Sequence, residues 1–212
     1  MKRRDAGRQR PPVDLIGFPS RRLTTRRRWS RCHRRESGTW FYSSTGGRWD
    51  LPEPDGTCYV AENDRGAVLE VVGPDLYDQG FVTEGFLRQR VLSTVTMPKR
   101  PVVADLLDAG VSDFGVTAEL SGAIDYAQTQ QWARAFHTSG HDGIVYGLRF
   151  RPNTEGVAVF GAAGADSTAG GHGPPREALD VAEDLDLRIV YAHQVGRLTE
   201  FAIVDPNGPG EQ

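Results

Sequence analysis

A carboxylate stands among aliphatic side chains at Glu70, in the run Ala67-Val68-Leu69-Glu70-Val71-Val72. It is either the wet side of a short helix or a charge placed to act on something, and spacing alone does not choose. Two arginines sit in structured surroundings: Arg31 in RWSRCHR and Arg48 in GGRWD. A planar guanidinium fork suits phosphate, whereas one more charge in a basic run, or a surface ion pair, is the plainer reading of each. Other chemistries lack their residues. There is no GxxxxGK[ST] segment, and GAAGA at 161–165 lacks the third glycine and the following helix of a dinucleotide fingerprint. His137 and His141 are four apart, but Gly140 intervenes and no Glu follows the first, so no metal site is expected. Neither a serine elbow nor a catalytic thiol signature is present, and Cys32 and Cys58 have no zinc or redox spacing.

The chain has 212 residues, 38% apolar and 9% aromatic, which suits one globular domain with a core that needs no staples. Two cysteines fit a reducing compartment, with Cys58 expected in a buried strand. No run is long and apolar enough for a bilayer, VDLIGF is too short and broken for a signal peptide, and a cytoplasmic location is expected. The net charge of −3 conceals an asymmetry: residues 1–35 carry 13 Lys/Arg against Asp5 and Asp14, a local charge of +11, and the remainder carries −14. Such an arm can bind nucleic acid or another polyanion, or lie on an acidic body; for residues 1–10 a solvated tail is the ordinary reading. Residues 11–206 then form the domain and 207–212 a C-terminal tail.

These residues need elements to position them. RWSRCHR, TWFYSS and TCYVAE read as strands, with Gly46–Gly47 as a turn before RWD. Asn63 is a candidate N-cap for a short helix over 64–72, and a second helical region is expected between 75 and 91. SGAIDYAQTQQWARAFHTSG places Ile124, Ala127, Gln131 and Ala135 at helical spacing before Gly140. DGIVYGLRF and GVAVFGA read as paired strands joined by RPNTEG, residues 161–177 as loop, and LRIVYAHQ with LTEFAIVDP as a closing hairpin. Strands, then helices, then strands favour α+β over a doubly wound sheet.

Four motifs in order, WSRCHR, GGRWD, CYVAENDRGAVLEV and DYAQTQQWARAFHTSGHDGIVYGLRF leading into VAVFG, make the chain resemble the RES domain. That domain is the toxin half of bacterial RES–Xre toxin–antitoxin pairs and is named for an Arg, a Glu and a Ser. The resemblance spans roughly residues 11–165 and implies an ADP-ribosyltransferase-like split β-sheet core with flanking helices. It also implies cleavage of the nicotinamide–ribose bond of NAD by water or phosphate, with NAD as substrate and no bound cofactor. The implied partner is an Xre-like helix-turn-helix antitoxin; a homo-oligomer is left open, and the lack of a bilayer-length apolar run argues against a membrane partner. Matched residue by residue, the family's Arg is Arg31, its strand aromatic is Tyr59 and its Glu is Glu70. Arg48, Tyr146, Leu148 and Arg149 become substrate-binding candidates; Gln128 and Trp132 could line the same cavity, but packing explains Trp132 better and solvent explains Gln128 as well.

The chemistry is coherent. Nicotinamide leaves NAD as a neutral molecule, so no acid must protonate it and one carboxylate suffices where an ordinary glycoside calls for two. Positive charge grows on the ribose as the bond breaks, and a fixed anion at Glu70 would stabilise it there. Arg31 would hold the pyrophosphate. Tyr59 would stack on the pyridinium, with a plain core aromatic as the equal alternative. The pattern breaks once: the family's Ser falls at Leu148, followed by Arg149. An aliphatic group there leaves open a working enzyme with a substitute hydroxyl, an enzyme on a related nucleotide, or a catalytically impaired binding protein acting through a partner or nucleic acid.

Overall fold

The computed structural model describes residues 10–166 and 170–192. Residues 1–9 of the basic tail, and residues 193–212, which hold most of the expected closing hairpin and the C-terminal tail, lie outside the described residues.

In chain order the strands are β1 Ser20–Arg22, β2 Arg28–Arg34, β3 Phe41–Tyr42, β4 Asp55–Ala61, β5 Val82–Thr83, β6 Arg90–Thr96, β7 Val102–Asp105, β8 Gly143–Leu148, β9 Arg151–Ala162, β10 Gly164–Ala165, β11 Arg176–Glu177 and β12 Ile189–Val190. The helices are α1 Asp64–Asp78, α2 Glu84–Arg88, α3 Ala118–Gly122, α4 Tyr126–Thr138 and α5 Ala178–Asp184. Eight strands form one mixed sheet in the order β1-β7-β8-β9-β4-β2-β6-β11, in which only β7 and β8 run parallel. Strand β10 pairs with β3, and β12 with β5.

The sheet is split in its middle. β4 pairs with β9 over seven residues and β2 with β6 over seven, yet β2 and β4 share the single pair Ser30↔Ala61. Beyond that pair the two strands part, and the facing backbone of Arg31–Arg34 and Cys58–Val60 borders a gap instead of a ladder, while Thr57 bridges to Ser43. This is the α+β, split-core architecture with flanking helices that the sequence suggests.

Both faces of the sheet are buried at its centre, so β8 and the later part of β9 are nearly continuous apolar runs, whereas β2 buries Ser30, Arg31 and His33. On one face Tyr146, Ala158 and Phe160 pack with Val68 and Val72 of α1 and Trp132 and Phe136 of α4. On the other, Trp29, Cys58, Val60, Val145 and Val157 pack with Trp40 and Tyr42. Period-two alternation therefore sends Trp29 and Cys32 to opposite faces.

Several boundaries differ from expectation. α1 runs on to Asp78 through Pro74, and the expected helix over 75–91 is instead the end of α1, the short α2 and the start of β6, since Gly80 at φ +76° turns the chain out of the first helix. TWFYSS yields only the two residues of β3, and RWD is loop. The turn between β8 and β9 is residues 149–150, and RPNTEG belongs to β9. α4 buries Thr129, Trp132, Ala133 and Phe136, whereas Ile124 precedes it and is exposed: the aromatic stripe sets the buried face, one step round from the expected one. Among the described residues no helix is long and apolar enough to cross a membrane.

Candidate active site

The gap between β2 and β4 widens into a cleft of about 580 Å³, walled by Arg31, His33 and Arg34 of β2, Tyr59 of β4, the Gly46-Gly47-Arg48 loop, and Glu70, Val71 and Pro74 of α1. Tyr126 and Phe150 complete it. A narrow inner extension of about 30 Å³ reaches Tyr146 between Tyr59 and Glu70.

Glu70 is placed by a helix that begins and docks on sequence-encoded contacts. Asn63, in extended conformation, caps α1 by accepting from the Gly66 N–H at 2.8 Å. One turn apart along one helix face lie Gly66, Glu70 and Gly73. A Cβ at Gly66 would fall 2.7 Å from Leu148 Cδ1, and one at Gly73 2.2 Å from the Phe150 ring. The two glycines thus let the end of β8 lie flush on the helix. Between them the Arg149 N–H donates to Glu70 Oε1 at 3.1 Å, and the Tyr146 hydroxyl approaches Oε2 at 3.5 Å. Glu70 therefore faces the cleft, which answers whether it is the wet side of the helix. Burial raises its pKa above the ordinary carboxylate range, opposed by the charge of Arg48, the Arg149 N–H, the Tyr146 hydroxyl and the charge of Arg149.

Arg48 is carried by a loop that is tied down at every residue. Asp50 Oδ2 accepts from Ser43 Oγ at 2.8 Å and from the N–H groups of Gly46 and Gly47 at 3.1 and 2.7 Å. Its Oδ1 accepts from the Tyr59 hydroxyl at 2.6 Å, and that hydroxyl accepts from the Trp49 N–H at 2.8 Å. Thr129 Oγ1 of α4 donates to the Arg48 carbonyl, and Gln130 Nε2 donates to that of Gly47 at 3.0 Å. Gly47 is required here because a Cβ would fall 2.6 Å from the Tyr59 hydroxyl oxygen. The buried Arg48 guanidinium donates through Nη1 to the Ser121 carbonyl, lies 5.7 Å from the Tyr126 ring centroid and keeps an unpaired Nε–H.

Arg31, also buried, donates from Nη1 to the Thr39 carbonyl and from Nη2 to the Phe41 carbonyl at 2.9 Å, which ties β3 to β2. Among the described residues neither Arg31 nor Arg48 makes a salt bridge. Both line the cleft, and the charge of Arg48 acts on Glu70.

Of the residues expected at the site, Glu70, Arg31, Arg48 and Tyr59 line one cleft. Tyr59 presents its ring there while its hydroxyl, bound to Asp50 and Trp49, has a pKa raised well above the ordinary value by burial and by Asp50. Tyr146 is fully buried against Trp49 and reaches the inner extension only. Arg149 acts on Glu70 through its backbone N–H and its charge, and its guanidinium lies 5.1 Å from the Phe150 ring centroid. Leu148, 1% exposed, is not among the lining residues: it packs beneath α1 on Gly66 and Gly156. Trp132 is core, packed on Phe18 and Phe136, and Gln128 is half-buried on α4, away from the lining.

Sequence reasoning passed over Asp50, His33 and Phe150. Asp50 had a signal, a carboxylate three residues after a Gly-Gly pair whose N–H groups need an acceptor. His33 donates from Nδ1 to the Arg34 carbonyl, 2.9 Å, and pairs through Nε2 with Ser93 Oγ, 2.9 Å; burial lowers its pKa. Among the described residues no cluster of three or more His, Cys, Asp or Glu could hold a metal.

An α+β sheet split at its centre, with an acidic helix residue and arginines in the gap, defines the class. The sequence matches the RES domain over residues 18–179, and the chain belongs to that family. The fold is similar to that of a chain in the crystal structure of the M. tuberculosis MbcT-MbcA toxin-antitoxin complex, with 15% identity, a TM-score of 0.60, and coverage of 76% of this chain and 90% of that one. No curated protein matches in sequence.

Proposed function

We propose that the protein cleaves the nicotinamide–ribose bond of NAD. The observation that supports this best is the lining of the cleft: among the described residues Glu70 is its one carboxylate, set among Arg31, Arg34 and Arg48 beside the ring of Tyr59. A single fixed anion suits a reaction whose leaving group needs no proton, and a second carboxylate, which an oxygen glycoside would call for, is not among the lining residues. The arginines match a pyrophosphate, and the Tyr59 face matches a cationic pyridinium. Glu70 then stabilises the ribosyl cation as it forms, while the charge of Arg48 opposes the rise in its pKa that burial imposes.

The electrophilic ribose carbon is taken by water or by phosphate. Incubating the protein with NAD, with and without phosphate, and following nicotinamide release separates the two; intact NAD in both buffers at high protein concentration defeats the reading. Membership of the RES family, and the likeness to a chain from a toxin–antitoxin complex, support a toxin role with an antitoxin partner, for which an Xre-like helix-turn-helix protein is the expected kind. Induced expression should deplete cellular NAD and arrest growth.

A second reading has one observation behind it. Leu148 offers no hydroxyl and is turned into the core, so a catalytically impaired protein acting through a partner would also fit. The NAD assay decides between them.

A further inference from the structure

Pro74 lies inside α1, four residues after Glu70. A proline has no N–H, and its ring crowds the carbonyl of the residue four before it. In α1 that carbonyl is the one belonging to Glu70. The helix carries on to Asp78, so what changes is local: the Glu70 oxygen loses the donor that every ordinary helical carbonyl has and is pressed outward. Glu70, Val71 and Pro74 all line the cleft, so the gap between the Glu70 carbonyl and the proline ring opens onto it.

Several neighbouring donors are already spent, and the Arg48 Nε–H is the unpaired one. The Arg149 N–H is bound to the Glu70 side chain, the Gly46 and Gly47 N–H groups and the Tyr59 hydroxyl to Asp50, and the Trp49 N–H to Tyr59. Next to the carboxylate this wall therefore offers an acceptor. An orphaned carbonyl in a partly desolvated site is satisfied by a ligand N–H or O–H and repels an anion.

We propose that the main-chain carbonyl of Glu70, opened by Pro74, accepts a hydrogen bond from the carboxamide N–H₂ of the ligand's pyridine ring and so determines specificity for an amide over a carboxylate at that position. The inference rests on the proposed function, since it places the leaving ring beside the residue that stabilises the ribosyl cation. An acid-bearing ring in the same pose would set its carboxylate against two acceptors of Glu70, main chain and side chain. The side chain performs the charge chemistry and the backbone of the same residue reads the leaving group.

The test compares NAD with its deamidated analogue, in which nicotinic acid replaces nicotinamide, in the parent, Pro74→Ala and Pro74→Val. Both substitutions restore an N–H that can pair with the Glu70 carbonyl, and Val keeps more of the bulk of the ring. Both should raise Tm, because a helix bond is regained and a helix-breaking residue removed. The parent should prefer NAD in kcat/KM by about 10² or more, as a site built around a hydrogen bond does. In both variants that preference should fall by roughly tenfold or more, through loss of NAD turnover in a better-folded protein. A readout independent of turnover is the thermal shift produced by nicotinamide against nicotinate, which should favour nicotinamide in the parent and lose that bias in the variants. A parent that cleaves NAD and whose preference is unchanged in Pro74→Ala and Pro74→Val overturns this inference alone. A parent that neither binds nor cleaves either dinucleotide overturns the function and the inference together.

Discussion

Replacing Glu70 by Gln tests the centre of the chemistry because the structure makes the change nearly pure in charge. The Gln carbonyl can keep the Arg149 N–H at 3.1 Å, and the amide can donate to the Tyr146 oxygen, which now sits 3.5 Å from Oε2. Shape and hydrogen bonds survive while the anion is lost. If the carboxylate acts on a cation formed only in the transition state, kcat should fall by about 10²–10³, some 2.7–4 kcal/mol, with KM for NAD little altered. Stability should move the other way. Burial raises the folded-state pKa of Glu70 above its unfolded value, so the folded protein holds that proton more tightly. The ionised group therefore costs stability as pH rises from the unfolded pKa, about 4.3, through the folded one, and costs nothing below the unfolded value. Glu70→Gln should have a Tm at or above the parent's at neutral pH, converging with it in acid. Nicotinamide release at saturating NAD, with thermal melts across pH, measures both. Parental kcat in Glu70→Gln, or a Tm well below the parent's at pH 7, would refute the placement of this charge.

Three further outcomes follow from neighbouring contacts. The acid limb of the kcat/KM profile should lie above the ordinary carboxylate range, and Arg48→Gln should move it to still higher pH, because the charge of Arg48 pulls the Glu70 pKa down; a limb that does not move separates the two residues. Tyr59→Phe leaves Asp50 Oδ1 without a donor and the Trp49 N–H without an acceptor, so it should cost about 1–3 kcal/mol in urea melts while the ring, and with it turnover of the folded fraction, persists. Leu148→Ser restores the residue of the family's name but opens a void beside Gly66 and Gly156. It should lower stability by about 2–5 kcal/mol, read as Tm, and leave NAD turnover no higher than the parent's; a gain in turnover would show that the position reaches substrate.

What the sequence disclosed depended on how local the cause was. β4 was legible because its apolar run is short and follows turn residues, β2 because Trp29 and Cys32 stand among the arginines, and the α1 start because Asn63 supplies its own acceptor to Gly66. The course of α1 beyond 72 was not, since Gly73 and Pro74 read as a stop, and only the Phe150 ring lying on Gly73 shows why a glycine belongs inside a helix there. Strand β6 was lost in a helical reading because its partner, β2, is about sixty residues earlier, and the register Arg28↔Thr96 to Arg34↔Arg90 is a long-range fact. The same holds for Tyr59: its ring was expected at the site, but the tie of its hydroxyl to Asp50 needs the loop in place.

The single Ser30↔Ala61 pair explains why the functional residues gather where they do. A fully paired sheet would have its Arg31 and Tyr59 on opposite faces, since alternation sends Trp29 and Cys58 to one core and Cys32 and Tyr59 to the other. Residues on opposite faces of an unbroken ladder cannot reach one ligand. Parting β2 from β4 after one pair removes the ladder between them, and a cleft passing through the sheet lets Arg31 act from one face and Glu70 and Tyr59 from the other. Beside the split, Thr57 of β4 pairs with Ser43, and the Arg31 guanidinium binds the Thr39 and Phe41 carbonyls and so anchors β3. Arg31 is thus both a wall of the cleft and a brace that keeps it open, so its removal should lower stability and ligand binding together, whereas loss of the Glu70 charge should separate them.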